Sequence, residues 1–255
     1  MFSAYNIISL GIGALLGLGI PAAAIIIFKL KNRGAWLPSV FIGAAAFFVF
    51  AMILEQLLHS VMLPIVKNNT VAYCVYGILA AGVFEETGRL AAYKTLMRKH
   101  LSMTNAVYMG LGHGGFEVIM ILGLNMTSYF LTALFIGLTG GAEQLAAQNS
   151  ISADTLTAQL EAISQIGIGD VMLSFFERLI AMTFHVCMSV WVYKAVSQKG
   201  KFWYYPAAIA AHALLDLSAV LYQTGAVTNL AAVYIPMTVL TVAVGGITYA
   251  LTARG

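Results

Sequence analysis

The chain has 255 residues, of which 60% are Ala, Val, Ile, Leu, Met, Phe, Trp, Tyr or Cys and only 9% are charged, which is more apolar surface than a water-soluble domain of that length can bury. The net charge of +3, from 13 basic and 10 acidic residues without a long basic run, argues against a surface that follows a phosphate backbone, so no nucleic acid is expected as a partner. Two cysteines in apolar stretches, Cys74 and Cys187, exclude a disulfide scaffold.

A bilayer core about 30 Å thick needs about 20 apolar residues per helix, because lipid offers no partner to an unpaired backbone group. The hydropathy predicts spans near 5–28, 36–58, 71–93, 104–125, 171–196, 203–223 and 230–252, with a further apolar stretch at 127–147. The expected fold class is all-α: a polytopic transmembrane helix bundle of seven or eight membrane helices, forming a single integral membrane domain over 1–255. The first stretch lacks a basic leader and exceeds a signal-peptide core in length, so it reads as a mature helix. Gly13 and Gly17, at GxxxG spacing, read as ordinary close helix packing.

Basic residues cluster at Lys29, Lys31 and Arg33, at Lys94, Arg98 and Lys99, at Lys194, Lys199 and Lys201, and at Arg254. Seven crossings with the N-terminus outside and the C-terminus cytoplasmic place every cluster in the cytoplasm. An eighth crossing at 127–147 would export Lys199, Lys201 and Arg254, so that stretch is expected to be re-entrant or interfacial. Segment 143–170 holds Glu143, Asp154, Glu161 and Asp170 with no Lys or Arg, and is expected to be a loop on the outer face.

Charged groups near a bilayer centre cost about 2.5–3.5 kcal/mol each on insertion scales, so those inside spans are candidates for function. Glu85, Glu86 and Arg89 fall in the third span, His113 and Glu117 in the fourth, Glu177, Arg178 and His185 in 171–196, and His212 and Asp216 in 203–223. Glu85 with Arg89, His113 with Glu117, and His212 with Asp216 are each four apart, so each pair shares one helix face. Counted from the cytoplasmic ends, Glu85, Glu86, His113, His185 and His212 lie roughly 12–17 Å deep, in one layer. Glu117 and Asp216 lie about one turn deeper, placed to orient a histidine or to add a ligand. Gly110, Gly112, Gly114 and Gly115 surround His113, which suggests either a groove beside it or close helix packing. Arg178, with Glu177 as neighbour, is read as structural in preference to a gate to the outer loop, and Glu55 and His59, near an outer boundary where snorkelling is easy, are given no catalytic role.

Imidazoles and carboxylates around a water can bind a divalent metal or hold the water directly, leaving a glutamate to take its proton, so hydrolysis is the expected chemistry. HExxH, GxSxG, Walker A and CxxC motifs are all absent. The alternative is a proton- or ion-coupled membrane transporter using the same His/Glu/Asp cluster, against which stand the single polar layer and the lack of duplicated halves.

Glu85-Glu86-Thr87-Gly88-Arg89 matches EExxR, and His212-Ala213-Leu214-Leu215-Asp216 matches HxxxD. With an intervening histidine, these resemble the CAAX-protease and bacteriocin-processing (CPBP) superfamily of intramembrane proteases. The likeness is strongest to its YhfC branch of bacterial intramembrane metalloproteases, through the segments GLGHGGFE and ERLIAMTFHVCMSVWV. It implies an intramembrane protease in a bacterial plasma membrane that cleaves a peptide or membrane-protein substrate in or next to the lipid bilayer. It also implies that Glu85 or Glu86, with Glu85 preferred, activates water while Arg89 fixes the pair. His113 stands for the second motif and His212 with Asp216 for the third. Met109 or Ala181 stands where that second motif usually has Phe, which leaves His113 and His185 both in view. Zinc is the expected cofactor, with His113, His185 and His212 as its ligands.

Overall fold

The computed structural model describes residues 2–140 and 152–253. Among them every regular element is helical. In chain order these are α1 (Ala4–Lys31), α2 (Pro38–Phe47), a π-helical segment π1 (Phe48–Glu55), α3 (Gln56–Val66), α4 (Thr70–Lys94), α5 (Met103–Val118), a second π-helical segment π2 (Ile119–Leu124), α6 (Asn125–Thr139), α7 (Ala153–Ser164), α8 (Ile168–Ser197), α9 (Tyr204–Gln223) and α10 (Ala231–Ala253). Among the described residues, six continuous helices are long and apolar enough to cross a membrane: α1, Pro38–Val66, Met103–Thr139, α8, α9 and α10. With 25 residues α4 is long enough as well, its apolar run interrupted by Glu85, Glu86 and Arg89. The fold is all-α and polytopic.

Local chemistry sets several boundaries. Pro38 occupies the first turn of α2, where a missing N–H costs nothing. The side chain of Asn69 caps α4 by accepting from Ala72 N at 3.0 Å, and Ser152 caps α7 by accepting from Thr155 N at 3.2 Å. Two expectations change. The predicted break at 126 is absent, because Met103–Thr139 is one helix of 37 residues, so 127–139 continues the preceding span rather than re-entering. Asn125 Nδ2 and Thr127 Oγ1 donate to the carbonyls of Ile121 and Gly123, both at 2.7 Å, so their polar groups are satisfied without leaving the helix. The polar stretch after it contains α7 rather than loop alone, while Glu143 lies outside the described residues.

The chain forms two compact units. In the unit made of residues up to 23 and 118–179, Gly17 of α1 lies against Gly123, and a Cβ at Gly17 would sit 2.5 Å from the Gly123 nitrogen, so the GxxxG stretch is a close backbone contact. Asn6 Nδ2 donates to the carbonyls of Ile163 (2.9 Å) and Ile166 (2.8 Å), occupying acceptors at the open end of α7. Arg178 Nη2 donates to Glu177 Oε1 at 2.6 Å.

The unit of residues 24–117 and 180–253 buries Tyr93, Met97, Met109, Phe184, Met188, Val190 and Val192 completely in its core. Gly110, Gly112 and Gly114 beside His113 make close contacts here rather than a groove. A Cβ on Gly112 would overlap the carbonyl oxygen of Val40 in α2, and one on Gly114 would press on His185 Cβ and Met182 Cα at 3.0 Å. The missing side chains bring α5 against α2 and α8, and so hold His113 beside His185.

Candidate active site

All eight residues singled out by sequence lie in this second unit. Glu85, Glu86 and Arg89 come from α4, His113 and Glu117 from α5, His185 from α8, and His212 and Asp216 from α9. None of the first seven is more than 7% exposed, and the Asp216 side chain is 28% exposed. Burial to this degree in an apolar bundle demands that the groups satisfy one another.

The partners follow from donor chemistry. Arg89 Nη1 donates to Glu86 Oε1 at 2.5 Å and Nη2 to His185 Nδ1 at 2.7 Å, with Glu85 Oε2 3.8 Å from Nη2. A guanidinium only donates, so His185 accepts on Nδ1 and carries its proton on Nε2, which lies 2.5 Å from Glu117 Oε2. His113 Nε2 donates to Glu85 Oε2 at 2.8 Å. His212 Nδ1 donates to Glu86 Oε1 at 2.8 Å, which leaves its Nε2 lone pair facing Glu85 Oε1 at 3.9 Å and Asp216 Oδ2 at 3.5 Å. Aromatic edges enclose the rings: Phe47 stands edge-on to His113, and Phe184 edge-on to His185 and His212.

Two assignments within the cluster differ from the spacing argument. Glu86, rather than Asp216, makes the orienting bond to His212, and Glu117 meets His185 on the neighbouring helix rather than His113 on its own. Helix neighbours four apart share a face, but their ends separate when stronger partners stand across the interface. The donor atoms that converge belong to Glu85, His185 and His212, all within 4.8 Å of one another, while His113 stands behind Glu85.

This donor set fits a divalent cation. One carboxylate and two imidazoles suit zinc-type ions and leave a coordination position open. His212 is prepared for the role, since a carboxylate fixes its far nitrogen and turns its lone pair inward. His185 offers Nδ1 3.7 Å from Glu85 Oε2, and Arg89 shares that lone pair.

Glu55 belongs to the same unit and is only 7% exposed. The helix that carries it runs on to Val66, eight residues past the predicted boundary at 58, so the snorkelling position assigned to Glu55 and His59 is corrected to an interior one. The signal was present in the sequence as a fourth i,i+4 pair, and the early boundary masked it.

A family model described as YhfC intramembrane metalloprotease matches residues 14–237. A curated relative from Bacillus subtilis (strain 168), described as uncharacterized membrane protein YhfC, is 34% identical over 242 residues, covering 92% of each chain. No solved structure matches. With seven long helices among the described residues, a buried glutamate–histidine cluster and a family match across most of its length, the chain is an integral membrane protein that belongs to the YhfC intramembrane metalloprotease family.

Proposed function

We propose that the protein hydrolyses a peptide bond in or next to the membrane at the cluster of Glu85, His113, His185 and His212. The observation that carries this is the convergence of the Glu85, His185 and His212 donor atoms in a buried cluster whose surrounding carboxylates and guanidinium already hold the rings in fixed tautomers. Glu86 is spent on orientation, since its Oε1 serves both Arg89 and His212 and the side chain is fully buried. Glu85 presents its carboxylate to three imidazoles and is the group that accepts the proton of the attacking water and returns it to the leaving nitrogen. His113, bonded to Glu85 Oε2, holds that carboxylate in place.

A divalent cation, zinc by donor type, held by Glu85, His185 and His212 would supply Lewis-acid polarisation of the scissile carbonyl. With those three engaged, Asp216, whose Oδ2 lies 3.5 Å from the inward-facing His212 Nε2, is the further carboxylate placed for proton transfer. Arg89 stabilises the glutamate pair, and Asp216 faces His212 Nε2 from the more open side. The substrate is a peptide or membrane-protein segment. The basic clusters at helix ends such as Lys29 and Lys31 of α1 support an outside N-terminus and a cytoplasmic C-terminus in a bacterial plasma membrane.

The test is cleavage of a transmembrane-peptide library by the purified full chain, read by mass spectrometry. Glu85→Gln and His212→Ala are expected to lower the rate by about 100-fold or more. Unchanged cleavage in both variants would remove the proposal.

A further inference from the structure

One buried ionisable group plays no part in the chemistry above. Glu55 closes the π-helical segment, a local widening frequently found at functional sites. Its Oε1 lies 3.4 Å from His59 Nε2, and the other ring nitrogen, Nδ1, is hydrogen-bonded to the Tyr76 hydroxyl at 2.5 Å. The charged and titratable groups facing Glu55 are His59 from its own helix, Tyr76 and Glu85 from α4, and His212 and Asp216 from α9. Glu55 thus stands in electrostatic range of the catalytic layer on one side and next to an imidazole on the other.

The three groups climb toward one face. Glu55 lies 11 residues before the end of α3, about 16 Å along the axis, and His59 about 10 Å before it. Tyr76 lies about 9 Å into α4 from Thr70. Exposure rises along the way, with the Glu55 side chain 9% exposed and that of His59 22%. An imidazole whose two nitrogens face different partners can take a proton on one and release another from its opposite side.

We infer that Glu55, His59 and Tyr76 form a proton relay linking the buried glutamate–histidine layer to the membrane face where α3 ends and α4 begins. Its use in catalysis rests on the hydrolase reading. Peptide hydrolysis puts one water proton on the leaving amine and leaves the other on the new carboxyl group. When that product ionises, Glu55 accepts the proton and passes it to His59 Nε2, while Nδ1 gives its own to the Tyr76 oxygen and the Tyr76 hydroxyl proton goes to water. Every group returns to its starting protonation once the ring has exchanged tautomers.

The test uses the full chain in lipid vesicles and infrared spectroscopy of the protonated carboxyl band of Glu55, identified by its loss in Glu55→Gln, across an acid-to-alkaline titration. The relay predicts a band that titrates and exchanges quickly on transfer to D₂O, with exchange slowed at least about tenfold in His59→Leu and in Tyr76→Phe. A Glu55 that shows no protonated band at any pH, or whose exchange in both variants is as fast as in the wild type, overturns the relay. Peptide cleavage on the same samples separates the two ideas. Glu55→Gln and Tyr76→Phe should lower kcat with KM little changed. A cleaving wild type whose rate neither variant alters overturns the relay's catalytic use. A wild type that cleaves nothing overturns the hydrolase reading, and the exchange rates still decide the relay.

Discussion

Replacing Arg89 by Met tests the charge logic of the site. The guanidinium is fully buried, bonds Glu86 and His185, and is the one permanent cation among the eight clustered residues. Methionine keeps much of the apolar stem but leaves Glu85 and Glu86, successive residues on one helix, without a countercharge. Breaking a buried ion pair by removing one partner costs about 3–5 kcal/mol, and the orphaned acceptor on His185 adds about 1 kcal/mol or more. The expected loss is therefore about 4 kcal/mol or more, a large part of the roughly 5–15 kcal/mol that typically holds a fold together. Reversible unfolding in mixed micelles, followed by the fluorescence of the three tryptophans, reads the loss directly. Glu86→Gln alone should cost about 3 kcal/mol, and the double variant should fall short of the sum by about 2 kcal/mol, because the second change removes a charge that the first has stranded. Strict additivity, or a single-variant loss below about 1 kcal/mol, would refute Arg89 as the countercharge of the glutamate pair.

Glu86→Gln should weaken Zn²⁺ binding about 10–100-fold in a chelator competition, since Glu86 fixes the His212 tautomer, whereas Asp216→Asn should weaken it less. Equal losses would place the orienting role elsewhere. Gly112→Ala should destabilise by about 1–3 kcal/mol in thermal unfolding, because its Cβ overlaps the Val40 carbonyl, while Gly19→Ala, with open space around it, should change stability by no more than about 1 kcal/mol. Asn6→Leu removes the side-chain donor to the carbonyls of Ile163 and Ile166 and should speed hydrogen exchange in α7, consistent with a local cost of about 1–3 kcal/mol; unchanged exchange would mean that the contact does not hold that helix.

The sequence made the spans and the grouping of the site legible for a common reason. Apolar runs of sufficient length have one outcome in lipid, and ionisable residues at helical spacing within them must turn toward one another. Glu85, His113, His185 and His212 accordingly meet at one level from four helices. Pairing was less legible, because whether Glu117 bonds His113 or His185 depends on side-chain reach across an interface that glycine contacts have narrowed, and spacing along one helix carries none of that. Polar residues misled in two places. Asn125 and Thr127 resemble a boundary until their bonds to the preceding turn are seen, and His59 resembles an interfacial residue until the helix is followed to Val66. The π-helical turns that set the register of Glu55 leave no mark in the composition of Phe48–Glu55.

The helix from Met103 to Thr139 has a mechanical consequence. Its 37 residues extend about 55 Å, well beyond the depth of an ordinary hydrocarbon slab, and its far turns still expose Leu131, Phe135 and Leu138. Apolar side chains so placed favour tilt or a locally swollen leaflet over projection into water. The acyl-chain length of the host lipid thereby becomes a handle on how the apolar turns after Asn125 are accommodated.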